Sequence, residues 1–148
     1  MNKIAIACDH AGYDRKLDVV KYLTEQGFEV VDFGCNSNES CDYADFVHPL
    51  ASKVNDGEFK RGIVICGSAN GVNMTANKYQ QVRSALCWQD EIAVLARSHN
   101  NANVCAIPAR FTSLEESLAI VKAFLNTEFE GGRHIRRVEK IAIKKQEQ

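Results

Sequence analysis

The chain has 148 residues, of which 45% are hydrophobic and 25% charged, and its formal net charge is −1. This length and composition predict one compact domain, 1–148, and exclude an intrinsically disordered chain. A near-neutral charge without a long basic run argues against a nucleic-acid partner. The first apolar run is too short for a signal peptide or a membrane span, so we expect a cytoplasmic protein with no membrane partner.

Five short apolar runs alternate along the chain with longer segments in which apolar residues repeat at helical spacing. Such alternation is typical of a parallel sheet with crossover helices. The predicted strands are Lys3–Cys8, 28–33, 61–66, 84–88 and 103–107. They predict an α/β fold of one domain: an open parallel five-stranded sheet with helices on both faces, Rossmann-like, plus a C-terminal helix.

Start and stop residues delimit the first four predicted helices. Gly27 ends the first, whose buried positions are expected to be Leu17, Val20 and Leu23. The second is expected to begin near Pro49, because the missing N–H of proline costs nothing at a helix start. The third ends at Asn77, and the fourth covers 90–98.

Two further helices follow the last strand. Thr112 and Glu115 fit a capping box that opens the first of them, and its expected buried stripe is Leu114, Leu118, Val121 and Leu125. The last helix is expected to start at about Arg133, after two glycines, with one face formed by Ile135, Val138 and Ala142.

The six cysteines include no CxxC pair, which argues against a zinc ribbon or thioredoxin-like chemistry. Four of them lie in predicted strands: Cys8, Cys66, Cys87 and Cys105. The simplest interpretation of any one is a small buried hydrophobe in a reducing compartment.

Two loops follow strands at the sheet edge where ligands of open parallel sheets bind, CDHAG after the first strand and CGSANG after the third. Neither is a GxGxxG fingerprint, so a dinucleotide cofactor is disfavoured. The loop Gly67 to Gly71 leads into a helix, where free amides and the helix dipole favour an anion. The alternative is a tight turn that merely needs glycines.

Cys66 immediately precedes this loop, and a thiol beside a helix N-terminus is expected to have a stabilised thiolate. Asp9 and His10 follow the first strand and would meet Cys66 across the top of the sheet, although a helix N-cap would also explain them. His99 is either a site residue or a histidine that complements a helix C-terminus.

Arg133 and Arg137 lie four residues apart near a predicted helix start, where cations oppose the helix dipole. Together they would form a fork around a phosphate dianion. A solvated basic face paired with Glu130 or Glu139 is the alternative.

Four segments in order resemble one known family: CDHAGY after the first strand, ICGSANG followed by ANK, then RSHNNAN, and EGGRHIRRV. Together they are similar to the type B ribose-5-phosphate isomerases and the related galactose- and allose-6-phosphate isomerases. The similarity is collinear over essentially the whole chain.

The resemblance implies an aldose–ketose isomerase that moves a proton between carbons 1 and 2 of an open-chain sugar phosphate through an enediolate, with no metal and no cofactor. It implies that Cys66 is the base and that His99 is the general acid that opens the sugar ring. Asp9 and Ser68 would bond sugar hydroxyls or relay protons.

The resemblance also assigns binding roles. Loop amides would stabilise the enediolate oxygen, from Gly67, Ser68, Ala69, Asn70 and Gly71. Asn100 would hold a substrate oxygen. The phosphate would be bound by His10, Arg110, Arg133 and Arg137.

Two positions depart from the family pattern. Ala69 stands where glycine is usual, at a cost of about 1 to 2 kcal/mol if the backbone there is left-handed. Val72 stands where a branch of the family has a glutamate base, and because valine cannot accept a proton, Cys66 remains the candidate. A hexose-6-phosphate isomerase, a phosphosugar-binding module without catalysis and a redox-regulated cysteine protein remain alternatives.

The order of elements predicts that Cys66 and His99 emerge at opposite edges of the sheet, because a crossover helix runs antiparallel to its strands. A five-residue strand separates the edges by roughly 17 Å. If both residues serve one substrate, as the resemblance implies, the protein is a homodimer with shared active sites, or a dimer of such dimers.

Overall fold

The computed structural model describes residues 2–145. Its strands are β1 (Lys3–Cys8), β2 (Glu29–Asp32), β3 (Gly62–Cys66), β4 (Ser84–Leu86) and β5 (Val104–Pro108). Its helices are α1 (Tyr13–Glu25), α2 (Tyr43–Asn55), α3 (Asn70–Ala76), α4 (Asp90–Ser98), α5 (Leu114–Asn126) and α6 (Arg133–Glu139), and a 3₁₀ turn, His10–Gly12, precedes α1. All five predicted strands are present, with ends within two residues of the prediction.

The strands form one sheet in the order β2-β1-β3-β5-β4, and every neighbouring pair is parallel. The predicted fold class is therefore confirmed. After β1 the chain moves outward to β2 and then returns to the other side of β1 to form β3. This change of direction creates a crevice at the carboxyl ends of β1 and β3, where open α/β sheets bind their ligands.

Both faces of the sheet are covered, which explains why its strands are continuous apolar runs. On β1, Ile4, Ile6 and Cys8 pack in a core with buried residues of α1, α4 and α5. Ala5 and Ala7 point to the opposite face and pack with α2 and α3. No helix within residues 2–145 is long and apolar enough to cross a membrane.

The predicted start of α2 is wrong: the helix begins at Tyr43, and Pro49 lies inside it. Its buried stripe starts before the proline and comprises Val47, Leu50, Ala51 and Val54. Packing of this stripe against the sheet outweighs the hydrogen bond that proline removes.

Two predicted helix faces are only partly right, because Leu17 and Leu114 are exposed, whereas the other predicted positions are buried or packed against the core. On α1, Leu17 is exposed and Lys16 is buried, because the Lys16 ammonium lies 2.7 Å from Asp32 and donates to the Cys35 carbonyl. On α5, Leu114 is exposed, and the buried residues are Ser117, Ile120, Val121 and Phe124. A polar residue inside a core-facing stripe hides the true phase of a helix from an apolar-periodicity argument.

The ends of α5 and α6 differ slightly from the prediction. The N-cap of α5 is Ser113, whose hydroxyl accepts from the Glu116 amide, rather than Thr112. The Thr112 hydroxyl instead donates to the Pro108 carbonyl. Helix α6 begins at Arg133 as predicted but ends at Glu139, so Ala142 lies beyond it.

Candidate active site

The loop after β1 packs directly on β3. Asp9 is buried, and its carboxylate accepts a hydrogen bond of 3.1 Å from the Gly12 amide, which closes the 3₁₀ turn. The Asp9 amide donates to the Ile65 carbonyl. A Cβ at Gly12 would lie 2.5 Å from that same carbonyl oxygen, so only glycine lets the turn approach so closely. This contact fixes Asp9 and His10 beside the end of β3.

Cys66 ends β3 and is 5% exposed. Burial raises the pKa of its thiol, and the nearby Asp9 carboxylate adds to this effect. Backbone hydrogen bonds from Val72, Ala69 and Ser68 act in the opposite direction and lower the pKa. The loop amides therefore favour the thiolate as expected, but desolvation is the larger effect, and the pKa of the thiol is raised rather than lowered.

The loop after Cys66 turns through a left-handed residue. Ala69 has φ 64° and ψ 0° and is fully buried, immediately before α3. Because the backbone at Ala69 is left-handed, the alanine that replaces the usual glycine of the family carries a strain of about 1 to 2 kcal/mol. The Ser68 hydroxyl accepts from the Asn70 amide at 3.3 Å and so braces the turn.

A cavity of about 470 Å³ opens between the two loops. Seven of the predicted site residues line it, and six of them belong to the two loops: Asp9, His10, Cys66, Gly67, Ser68 and Gly71. Arg110 also lines it; the Arg110 amide donates to the Gly67 carbonyl, and its side chain lies against Gly67. Asn70 lines an adjacent cavity of about 960 Å³, which also contains Ser68.

Three lining residues of this cavity were missed by the sequence analysis. Cys41, Asp42 and Tyr43 line the same cavity, and the Tyr43 ring packs against Gly71 so closely that a Cβ there would collide with it. The Cys41 amide donates to Nδ1 of His10 at 3.3 Å, which orients that ring. Neither Cys41 nor Tyr43 belongs to a recognisable motif, so only the folded loop reveals their position.

The other four predicted residues lie elsewhere. His99 caps the C-terminus of α4, and Asn100 lines a cavity with Arg83 and Ser84 at the amino end of β4. They therefore lie at the edge of the sheet opposite to Cys66. Arg133 and Arg137 are on α6, which begins beside His99, and among residues 2–145 neither forms an ion pair.

His99 is part of a cluster that the sequence analysis did not identify. The imidazole rings of His99 and His134 are stacked, with centroids 4.3 Å apart and planes 15° from parallel. Glu130 Oε2 lies 3.5 Å from His134 Nε2 and 4.0 Å from His99 Nε2. Glu130 lies before the start of α6, so the four-residue spacing rule for helices does not apply to it, and only the folded chain reveals its contact with His134.

Two histidines and a carboxylate also form a potential metal-ligand set, since their ligand atoms lie within 4.8 Å of one another. A lone pair on an imidazole nitrogen lies in the ring plane, and zinc binds it at about 2.0 to 2.1 Å. An ion bound by both rings would have to lie in both ring planes, and nearly parallel planes do not meet beside stacked rings. As arranged, this set does not fit a shared metal ion.

Known proteins are similar to this chain over nearly its whole length. The sequence profile of the family described as Ribose/Galactose Isomerase matches residues 4–141. Ribose-5-phosphate isomerase B of Escherichia coli K12 is 43% identical over 141 residues, which cover 95% of each chain. These matches agree with the resemblance carried by the four sequence segments.

Solved structures agree in fold. The ribose 5-phosphate isomerase of Thermotoga maritima superposes with a TM-score of 0.93 at 45% identity, covering 95% of this chain and 97% of that one. Ribose-5-phosphate isomerase B of Mycoplasma genitalium, solved with bound ribulose-5-phosphate, gives a TM-score of 0.91 at 43% identity and covers 94% and 93%. This chain belongs to the ribose/galactose isomerase family.

Proposed function

We propose that this protein interconverts ribose 5-phosphate and ribulose 5-phosphate. The observation that carries the proposal is the cavity at the β1–β3 crevice, where a buried thiol, a buried carboxylate and a turn of backbone amides meet. A relative with 43% identity has been solved with ribulose-5-phosphate bound. An aldose–ketose isomerase needs a base beside carbons 1 and 2 and donors beside their oxygens.

In the proposed mechanism the thiolate of Cys66 removes the proton from carbon 2 of the open-chain aldose. The electron pair forms the C1–C2 double bond of an enediolate, and the former aldehyde oxygen takes up the negative charge. A proton then moves from the oxygen on carbon 2 to the oxygen on carbon 1, relayed by Asp9 or Ser68. The Cys66 thiol returns its proton to carbon 1 as the carbonyl forms at carbon 2, which regenerates the thiolate and leaves the ketose. Asp9 and Ser68 bond the sugar hydroxyls, and the amides of the loop from Gly67 to Gly71 stabilise the oxyanion.

Substrate binding in this proposal draws on both edges of the sheet. His10 and Arg110 lie at the Cys66 cavity, whereas His99, Asn100, Arg133 and Arg137 lie at the opposite edge. The two edges are separated by roughly one strand length, about 17 Å. A two-fold homodimer would bring His99 and the arginine pair of one subunit to the Cys66 of its partner. A dimer of such dimers retains the same sites.

The direct test is to incubate the protein with ribose 5-phosphate in the presence of EDTA and follow ketose formation. Galactose 6-phosphate and allose 6-phosphate, tested separately, probe the hexose alternative that the family includes. Cys66→Ala should abolish turnover and still bind substrate. Cys105→Ala is the matched control, because Cys105 is buried in the core beneath the sheet and should affect mainly stability. Near-normal turnover by Cys66→Ala would refute the assignment of the base.

The shared site is tested by complementation. Cys66→Ala and His99→Ala proteins are unfolded together in equal amounts and refolded. Half of the dimers are then mixed, and each mixed dimer has one intact site, so about a quarter of wild-type activity should return. No recovery after demonstrated subunit exchange would place both residues in one site of one chain, or remove His99 from the mechanism.

We further propose that the protein acts in the cytoplasm, in pentose phosphate metabolism. All six cysteines are free thiols, and one of them is the proposed base. Free thiols persist in a reducing compartment. Fractionation of cells followed by immunodetection tests the location.

A further inference from the structure

His99 is held on one side by another histidine. Its side chain is 37% exposed, whereas that of His134 is 9% exposed, and the two rings are stacked 4.3 Å apart. Because His99 caps α4 at the surface, its ring would otherwise rotate freely about its side-chain torsions. The buried ring of His134 offers it one flat surface against which to stack.

Glu130 links these two rings to the backbone that carries them. Its amide donates to the Ser98 carbonyl at 3.0 Å, directly before His99, and the His134 amide donates to the Gly131 carbonyl at 3.1 Å. The Glu130 carboxylate lies 3.5 Å from His134 Nε2 and 4.0 Å from His99 Nε2. The end of α4 and the start of α6 are therefore joined at both main chain and side chain.

The turn beneath His99 is held from the other side by Arg97. This buried guanidinium donates to the Asn101 side chain, to the Ala102 carbonyl and to the Thr127 carbonyl. The backbone on either side of His99 is thus fixed, and what remains to be fixed is the imidazole ring itself. Within residues 2–145, His134 is the only aromatic ring stacked on His99, and Glu130 is the only carboxylate that lies within 4.0 Å of it.

We infer that His134 and Glu130 are positioning residues for His99: the stacked ring fixes the plane of the His99 ring, and the Glu130 carboxylate lies on its Nε2 side at 4.0 Å. The inference rests on the role proposed above for His99 as the acid that opens the sugar ring. A general acid must lie within hydrogen-bond reach of the atom it protonates, so a rotated ring loses its function. His134 and Glu130 belong to the same subunit as the His99 they position, whichever subunit supplies Cys66.

The inference is tested by a double-mutant cycle on turnover of ribose 5-phosphate. His134→Ala should lower kcat roughly tenfold or more with little change in KM, as expected when a general acid is misplaced. His134→Phe keeps a flat ring for stacking and should restore most of that loss. Glu130→Gln should lower kcat by about 3- to 10-fold. His48→Ala, a histidine whose ring bonds the Tyr79 hydroxyl, is the matched control and should leave kcat unchanged.

The decisive comparison is made in a His99→Ala background. If His134 acts only through His99, its removal there should change kcat by less than about twofold. An equal loss in both backgrounds would show a general structural role and overturn the inference, as would a His134→Ala protein with normal kcat. If His99→Ala alone retains normal kcat, the proposed role of His99 fails, and the inference fails with it. Circular dichroism and thermal melting of each variant confirm that the comparison is made between folded proteins.

Discussion

Replacing Gly12 by alanine would place a methyl group 2.5 Å from the Ile65 carbonyl oxygen and 2.9 Å from the Ile65 side chain. Non-bonded atoms prefer separations nearer 3.5 Å, so the 3₁₀ turn must move away from β3 by roughly 0.5 to 1 Å. That turn carries Asp9 and His10, whereas Cys66 is on β3 itself. The substitution therefore separates the proposed base from its polar partners without altering any of them.

The expected loss of stability has two parts. Overpacking at a close contact costs about 1 to 3 kcal/mol. A weakened hydrogen bond between Asp9 and the Gly12 amide costs up to about 1 kcal/mol, as for other N-caps. The sum of about 1 to 4 kcal/mol corresponds to a melting temperature lower by roughly 2 to 16 °C in a chain of this size. A displacement approaching 1 Å should lower kcat by about 10- to 100-fold.

Both quantities are measured on purified Gly12→Ala protein, by thermal unfolding and by ribose 5-phosphate turnover well below the melting temperature. Gly57→Ala is the control. Gly57 has φ +79° and has no atom within 4 Å of a built Cβ, so alanine there adds strain of about 1 to 2 kcal/mol and no collision. It should lower the melting temperature and leave kcat intact. A Gly12→Ala protein whose kcat matches that of Gly57→Ala would refute the argument that close packing of the turn sets the site geometry.

Three further predictions follow from the site and its surroundings. Because burial raises the pKa of the Cys66 thiol, both turnover and the rate of alkylation by iodoacetamide should still be rising with pH above neutrality. A plateau already reached at neutral pH would contradict this. Arg97→Met should lower the free energy of unfolding in urea by about 2 to 4 kcal/mol, because the carbonyls of Thr127 and Ala102 lose the guanidinium that donates to them. A loss below about 1 kcal/mol would show that other donors replace Arg97. Arg137→Ala should weaken the binding of inorganic phosphate and of the sugar phosphate together. Arg136→Ala, on the same helix, is the control and should bind both normally; equal affinities of the two variants would place Arg137 outside the phosphate site.

The sheet could be predicted from the sequence because its strands lie in short segments rich in apolar and β-branched residues, which alternate with longer segments of helical periodicity. Strands covered on both faces need no alternation, so burial and sequence carry the same information there. The two site loops could be predicted because ligands of open parallel sheets bind at the carboxyl ends of strands, where Asp9 directly follows β1 and Cys66 ends β3. Local pattern and global topology agree at these positions.

The buried faces of the helices were harder to predict from the sequence because polar or charged residues occupy core-facing positions, such as Lys16 and Ser117. Lys16 is buried through its ion pair with Asp32, a partner sixteen residues away that no periodicity argument includes. The same reason hides the cluster around His99. Glu130 and His134 resemble an exposed basic and acidic stretch until the chain folds α6 against the end of α4, where a stacked ring is buried.

For the cysteines, the position along the chain was enough to single out Cys66, but the effect of its surroundings on the thiol pKa could not be predicted from the sequence. The sequence analysis distinguished Cys66 from its siblings by the loop that follows it. It could not weigh burial against the loop amides, because burial depends on every element packed around the strand.

If Cys66 of one subunit and His99 of another form one site, dilution should lower the activity of this protein and leave its fold intact. Each chain covers both faces of its own sheet, so its hydrophobic cores form within a single subunit. Catalysis in the proposed site instead requires a pair, and it therefore obeys the mass action of association. Specific activity would then fall in proportion to the paired fraction, and a sugar phosphate bound across both subunits would shift that equilibrium towards the dimer.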